Sequence, residues 1–128
     1  MITYILLLKR KKGMTRAEFR HHYETSHVML AKKFLGHLFL DYRRHFPIDS
    51  IKPSGEEAWF ADEGFDAITK VDFKDQAAFD EFKRLCSLPH IKEALVEDEK
   101  RFLDREAVRV QVCEEVRTWT AADLAKSA

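Results

Sequence analysis

The sequence predicts an α+β domain of the ferredoxin-like type, βαββαβ with an antiparallel sheet and both helices on one face. Three observations carry that expectation. Short runs rich in β-formers alternate with helical patterns in the order strand, helix, strand, strand, helix, strand. Thr15-Arg-Ala-Glu18 is a capping box, a hydroxyl acceptor with a carboxylate three residues on, and it marks the start of the first helix. The first strand, Ile2 to Leu8, is apolar on both faces. Helices cover one face only, so a second sheet from another copy is expected on the other, in an isologous dimer.

The elements follow in order. The basic loop Lys9 to Gly13 bounds the first strand, and the first helix runs from Thr15 to about Leu35, where Gly36 is a natural stop. A second strand is expected from Leu38 to Phe46, with Leu38, Leu40, Tyr42, Arg44 and Phe46 on one face; Pro47 ends it. The stretch Pro47 to Gly64 reads as a long loop, and loops of that length tend to be functional. Phe65 to Phe73 alternates as a third strand. Asp75 caps a helix carrying Phe79, Phe82 and Leu85 inward, Pro89 breaks it, and a further helical segment runs from His90 to about Leu103. Ala107 to Val116 is the last strand, with Val108, Val110 and Val112 on one face. Residues 1–117 thus form one domain, and the polar, alanine-rich tail 118–128 carries no expected element.

Composition narrows the classes. A chain of 128 residues, 45% hydrophobic, supports a single core. Lys+Arg and Asp+Glu are both 22, a balance that argues against a nucleic-acid surface. No apolar run approaches the roughly 20 residues that span a bilayer, and the first strand lacks the flanks of a signal peptide. Cys86 and Cys113 are far apart and are expected as reduced thiols in the cytoplasm.

The polar residues on apolar stripes are the candidates for chemistry. On the first helix Phe19, Tyr23, Ser26, Leu30 and Phe34 share one stripe, His27 falls within it, His22 lies on its shoulder and His21 points away. Tyr23 and His27 therefore face the space under the helix, either as satisfied core residues or as pocket residues suited to proton transfer. On the later helix Ile91, Leu95, Asp98 and Phe102 form a stripe with a carboxylate in its middle. Asp98 needs a partner: an arginine in a structural ion pair, or His27, whose imidazole it would orient and make more basic. In the second strand Asp41, Arg43 and His45 share one face and Tyr42 and Arg44 the other. An arginine in a pocket would clamp a carboxylate, and interface pairing is the alternative. His90 is a weaker pocket-edge candidate, and Trp59 with Phe60 in the long loop is a candidate lid or a contact with the neighbouring subunit. No phosphate-cradling glycine loop, metal spacing or nucleophile elbow is present, so any chemistry is expected to be cofactor-free acid–base work without a metal.

The stretch Lys9-Arg-Lys-Lys-Gly-Met-Thr-Arg-Ala-Glu-Phe-Arg-His-His-Tyr-Glu-Thr-Ser-His27 resembles the opening of EthD-domain proteins. Val96-Glu-Asp-Glu-Lys-Arg-Phe-Leu-Asp104 is similar to that family's second signature, and the likeness covers residues 1–117. The resemblance implies a dimeric α+β barrel with a ligand pocket in each subunit. It implies activities such as cofactor-independent dehydration or decarboxylation of aromatic polyketides and isomerisation of ring-cleavage products. It carries the helix-one histidine to His27 and the signature carboxylate to Asp98.

The expectation is an isomerase or lyase acting on a small enolisable organic acid, such as an aromatic ring-cleavage product, without a cofactor. His27 is the general acid or base and Asp98 orients it. Tyr23 or Tyr42 donates to a developing enolate, and Arg43 or Arg44 holds a carboxylate, with His22, His90 and Trp59 at the pocket. The alternatives are a non-enzymatic dimer binding a small hydrophobic ligand and a polyketide cyclase, dehydratase or decarboxylase.

Overall fold

The computed structural model describes residues 2–49 and 64–127. The order is β1 (Ile2–Leu8), α1 (Arg16–His22), a π-helical turn (Tyr23–His27), α2 (Val28–Leu35), a 3-10 turn (Gly36–Leu38), β2 (Phe39–His45), β3 (Ala67–Phe73), α3 (Gln76–Ser87), α4 (Pro89–Phe102), β4 (Arg109–Glu114) and α5 (Ala121–Ser127). The four strands form one antiparallel sheet in the order β2-β3-β1-β4, the ferredoxin-like arrangement.

Local chemistry accounts for the helix starts. The Thr15 hydroxyl accepts from Glu18 N–H, and the Glu18 carboxylate accepts from Thr15 N–H, closing the capping box. Asp75 accepts from Ala78 N–H at the head of α3, and Pro89 opens α4 where its missing N–H costs nothing. The tail does carry an element: Thr120 and Asp123 cap α5 reciprocally.

Register separates the faces of the sheet. Tyr4 pairs with Val71, Leu6 with Thr69 and Leu8 with Ala67, all on the side covered by helices. Two apolar clusters sit there. One joins Leu8, Phe19, Tyr23, Ala67, Phe102 and Leu103, the other Leu38, Val71, Phe73, Ala78 and Phe79, and Leu6 packs against both. Asp66, buried just before β3, accepts from the backbone and guanidinium of Arg10 and so ties β3 to the turn after β1.

Two expected patterns need correcting. The expected face of Leu38, Leu40, Tyr42, Arg44 and Phe46 does not hold through β2, because the ladder shifts register between Phe39 and Asp41. Leu40 is the extra residue of this irregularity and is 57% exposed, while Phe39 turns inward onto Tyr42, Phe73 and Phe82. In the first helix the buried row is Phe19, Tyr23, Ala31 and Leu35, and Leu30 and Phe34 are only half-buried. A row at every fourth residue drifts by roughly 40° per step around an ordinary α-helix. The π turn is wider and takes up that drift, so the row keeps facing the sheet.

Candidate active site

The site is built where the π turn meets α4. Val28 N–H bonds to the Tyr23 carbonyl, an i to i+5 closure, and the Thr25 hydroxyl donates back to the His21 carbonyl at 2.7 Å. The consequence is geometric. Residues five apart lie roughly 140° apart around an α-helix, too far round for both to reach one group on a neighbouring helix. In the π turn they come onto the same side, and His22 and His27 both reach Asp98.

Asp98 is 1% exposed and takes three close donors. His22 Nε2 donates to Oδ1 at 2.9 Å, Ser26 Oγ to the same oxygen at 2.7 Å, and His27 Nδ1 to Oδ2 at 3.0 Å. Arg101 adds a longer contact at 3.4 Å from the solvent side. Burial opposes the charge of Asp98, but the hydrogen bonds of Ser26, His22 and His27 outweigh it and hold the carboxyl below its ordinary value. Phe102 lies beneath both imidazoles, stacked on His22 with centroids 4.8 Å apart and tilted against His27 at 5.1 Å.

Burial outweighs the basicity that Asp98, as expected, adds to His27. Burial pushes its pKa below the ordinary 6.5, and the bond and charge of Asp98 only partly offset that, with His22 adding a lowering of its own. His27 is therefore a neutral imidazole at neutral pH. Its Nδ1–H is committed to Asp98, and that bond assigns the tautomer in which Nε2 carries the free lone pair. Both shifts have the same sign for stability. The unfolded chain takes up His27's proton first, so stability should fall as pH drops below about 6.5, and further as Asp98 protonates below the carboxylate range. Thermal midpoints measured across pH should show this slope, and His27→Gln should lose its upper part.

His27 lines a cavity of about 230 Å³ between the sheet and α2, α3 and α4. Its walls are mostly apolar, among them Leu6, Ala31, Val71, Phe82 and Leu95, and its polar tips include Tyr4, Tyr42, Cys86, Lys92 and Glu99. A neighbouring hollow of about 340 Å³ shares Ala31 and Tyr42. Tyr42 OH bonds to Tyr23 OH at 3.0 Å, and Tyr23 OH in turn to Thr69 Oγ1 at 2.5 Å. Burial raises the pKa of both phenols, so both stay protonated and able to donate. Tyr23 is the inner member of this chain, and Tyr42 is the one at the cavity.

The remaining expected site residues are placed differently. Register puts Arg43 on the open face of the sheet, exposed and paired with Asp41 at 2.5 Å, so it is not at the cavity. Arg44 is on the helix side, but its guanidinium lies 5.4 Å from the Tyr23 ring centroid and 4.0 Å from Glu24, and it does not line the cavity either. His90 is exposed, edge-on to Phe34, also away from the lining. His22 acts through Asp98. Trp59 and Phe60, the expected lid, lie outside the described residues.

Sequence reasoning passed over Glu99, Tyr4, Cys86 and Lys92. The α4 signal was available, since Lys92, Val96 and Glu99 recur at helical spacing beside the Asp98 stripe. Burial, followed by the charge of Glu99, raises the Cys86 thiol to about 11, which leaves it protonated and weakly nucleophilic at neutral pH. Among the described residues no group of three or more His, Cys, Asp or Glu is placed to hold a metal ion, and no helix is long and apolar enough to cross a membrane.

Comparison with solved structures shows the same fold. The chain is similar to an EthD-like protein from Ralstonia eutropha (TM-score 0.63, 15% identity, covering 93% of this chain and 95% of that one). It is similar to an EthD family protein from Bacillus halodurans (TM-score 0.60, 19% identity, 91% and 100% covered). A dimeric ferredoxin-like protein of unknown function from a Jannaschia species matches at TM-score 0.56 and 16% identity, with 89% and 98% covered. No curated protein matches the chain. The model of the EthD domain matches residues 11–106, most of the chain and both helical stretches that build the site, and the chain belongs to the EthD-domain family.

Proposed function

We propose that the protein is a cofactor-independent acid–base catalyst, an isomerase or lyase acting on a small enolisable substrate. The observation that carries this reading is the coupling of His27 to Asp98 at the wall of an apolar cavity. A neutral imidazole held at Nδ1 by a buried carboxylate presents Nε2 as a base, and the carboxylate stabilises the imidazolium that forms. The Tyr42 phenol is the donor at hand for a developing enolate oxygen. Lys92 is the cation on the lining, and neither strand-two arginine is there. A largely apolar ring with a carbonyl therefore fits better than a substrate held by an arginine–carboxylate clamp.

The test is solvent-deuterium incorporation next to the carbonyl of β-tetralone, followed by NMR. The protein should accelerate exchange, and His27→Gln should lower the rate by about 100-fold or more, the ordinary worth of a positioned base. A loss of less than about tenfold in a folded variant would remove His27 from the role.

Self-association belongs to the same reading. Ile5, Leu7 and Ile68 are half-buried on the open face of the sheet, flanked by the Lys70–Glu115 and Arg43–Asp41 ion pairs, an apolar centre with a charged border. The chain pairs with a second copy through this face, as its structural relative from Jannaschia is dimeric. Light scattering should report a dimer that Ile5→Lys converts to monomer; a monomeric wild type at micromolar concentration would reject the pairing.

A further inference from the structure

We propose that Glu99 is a second catalytic residue of the cavity, the proton donor that works with His27. This rests on the reading of His27 as the base. Adjacent residues on a helix point about 100° apart, and α4 uses that divergence. Asp98 faces His22 at the end of α1 and His27 of the π turn, while Glu99 follows Lys92, Leu95 and Val96 along the stripe that lines the cavity.

The surroundings of the two carboxylates are opposite. Asp98 is saturated with donors and stays charged. Among the described residues no hydrogen bond or ion pair engages the Glu99 side chain, and the cavity wall beside it is largely apolar. Burial is the main cause that raises its pKa, the charge of Asp98 adds to it, and Arg105 only partly opposes them. A carboxyl that holds its proton more tightly than usual, on the same cavity wall as a neutral imidazole, is the pairing that concerted proton removal and proton delivery require.

The step balances without a further reactant. In an elimination, His27 Nε2 takes the proton from the carbon next to the carbonyl, and the C–H electron pair forms the new double bond. The C–O bond to the β-hydroxyl breaks with its pair on oxygen, which takes the Glu99 proton and leaves as water. In an isomerisation the same proton goes instead to the distal carbon of the dienolate. Either way His27 ends protonated and Glu99 ionised, and transfer of one proton from imidazolium to carboxylate restores both.

Ring opening of benzisoxazole tests the pair, because a base removes the C3 proton while the N–O bond breaks and its oxygen leaves as a phenolate. Acid help matters for unsubstituted benzisoxazole, whose phenolate is basic, and little for the 5-nitro derivative, whose phenolate leaves unaided. Glu99→Gln should slow the unsubstituted compound by about tenfold or more and the nitro compound by less than about threefold. With the unsubstituted compound, the wild type should lose rate at both ends of the pH range, and Glu99→Gln only at the acid end. His27→Gln should abolish acceleration of both compounds.

Equal slowing of the two compounds by Glu99→Gln would make Glu99 a structural residue, and no slowing would remove it from the chemistry. In both cases the role of His27 stands. Rates unchanged by His27→Gln, or a wild type no faster than that variant, would overturn the base and the donor together.

Discussion

Replacing Asp98 by alanine is expected to lower the stability of the protein by about 3–5 kcal/mol, the range for breaking a buried, paired charge. One carboxylate satisfies Ser26, His22 and His27 at once, and its removal leaves three donors facing an apolar space beside Phe102. Asp98→Asn should recover only part of the loss. The amide keeps the volume, yet it has one acceptor oxygen and turns its own N–H groups toward donors. Urea denaturation of both variants measures this, and a loss under about 1 kcal/mol for the alanine would mean the cluster is solvated rather than buried. Deuterium exchange of β-tetralone should fall in Asp98→Asn as well, because His27 Nδ1 no longer meets a carboxylate and the Nδ1–H tautomer, which leaves the Nε2 lone pair free, loses its preference.

Phe102→Ala is expected to cost a similar amount, about 3–5 kcal/mol, for a different reason. The ring is fully buried, with centroids 5.5 Å from Phe19, 5.6 Å from Tyr23, 4.8 Å from His22 and 5.1 Å from His27. Truncation opens a hole under both imidazoles that the sheet cannot close. Phe102→Leu should cost clearly less, since most of the volume returns while the flat stacking surface does not. Thermal melts rank the two variants, and equal costs would show that packing volume is not the term at work. A surplus loss of exchange rate in the leucine variant, at near-normal stability, would show that the ring also positions His27.

Much of the fold was legible because its cues are local. The Thr15 and Asp75 caps, the Pro89 break, the apolar run of β1 and the alternation of β3 act through neighbours in sequence, and each appears where the sequence places it. The Asp98 stripe was legible for the same reason, since Ile91, Asp98 and Phe102 are buried at helical spacing. Leu40 and the row of Leu30 and Phe34 were misread because a bulge and a π turn each change the period, and a fixed period is the only ruler a sequence offers. The α5 cap at Thr120 and Asp123 was a readable signal that an alanine-rich composition hid.

The sequence by itself determined the α+β order, the family, and the presence of a histidine and a carboxylate on facing stripes. Only the tertiary structure decided how they meet. The π turn brings His22, Ser26 and His27 to one carboxylate, and burial then sets His27 neutral against the pull of Asp98. Register, fixed across strands far apart in sequence, sent Arg43 to the open face and Tyr42 to the cavity. Protonation state and strand face both depend on what surrounds a residue in space, and a sequence records only what precedes and follows it.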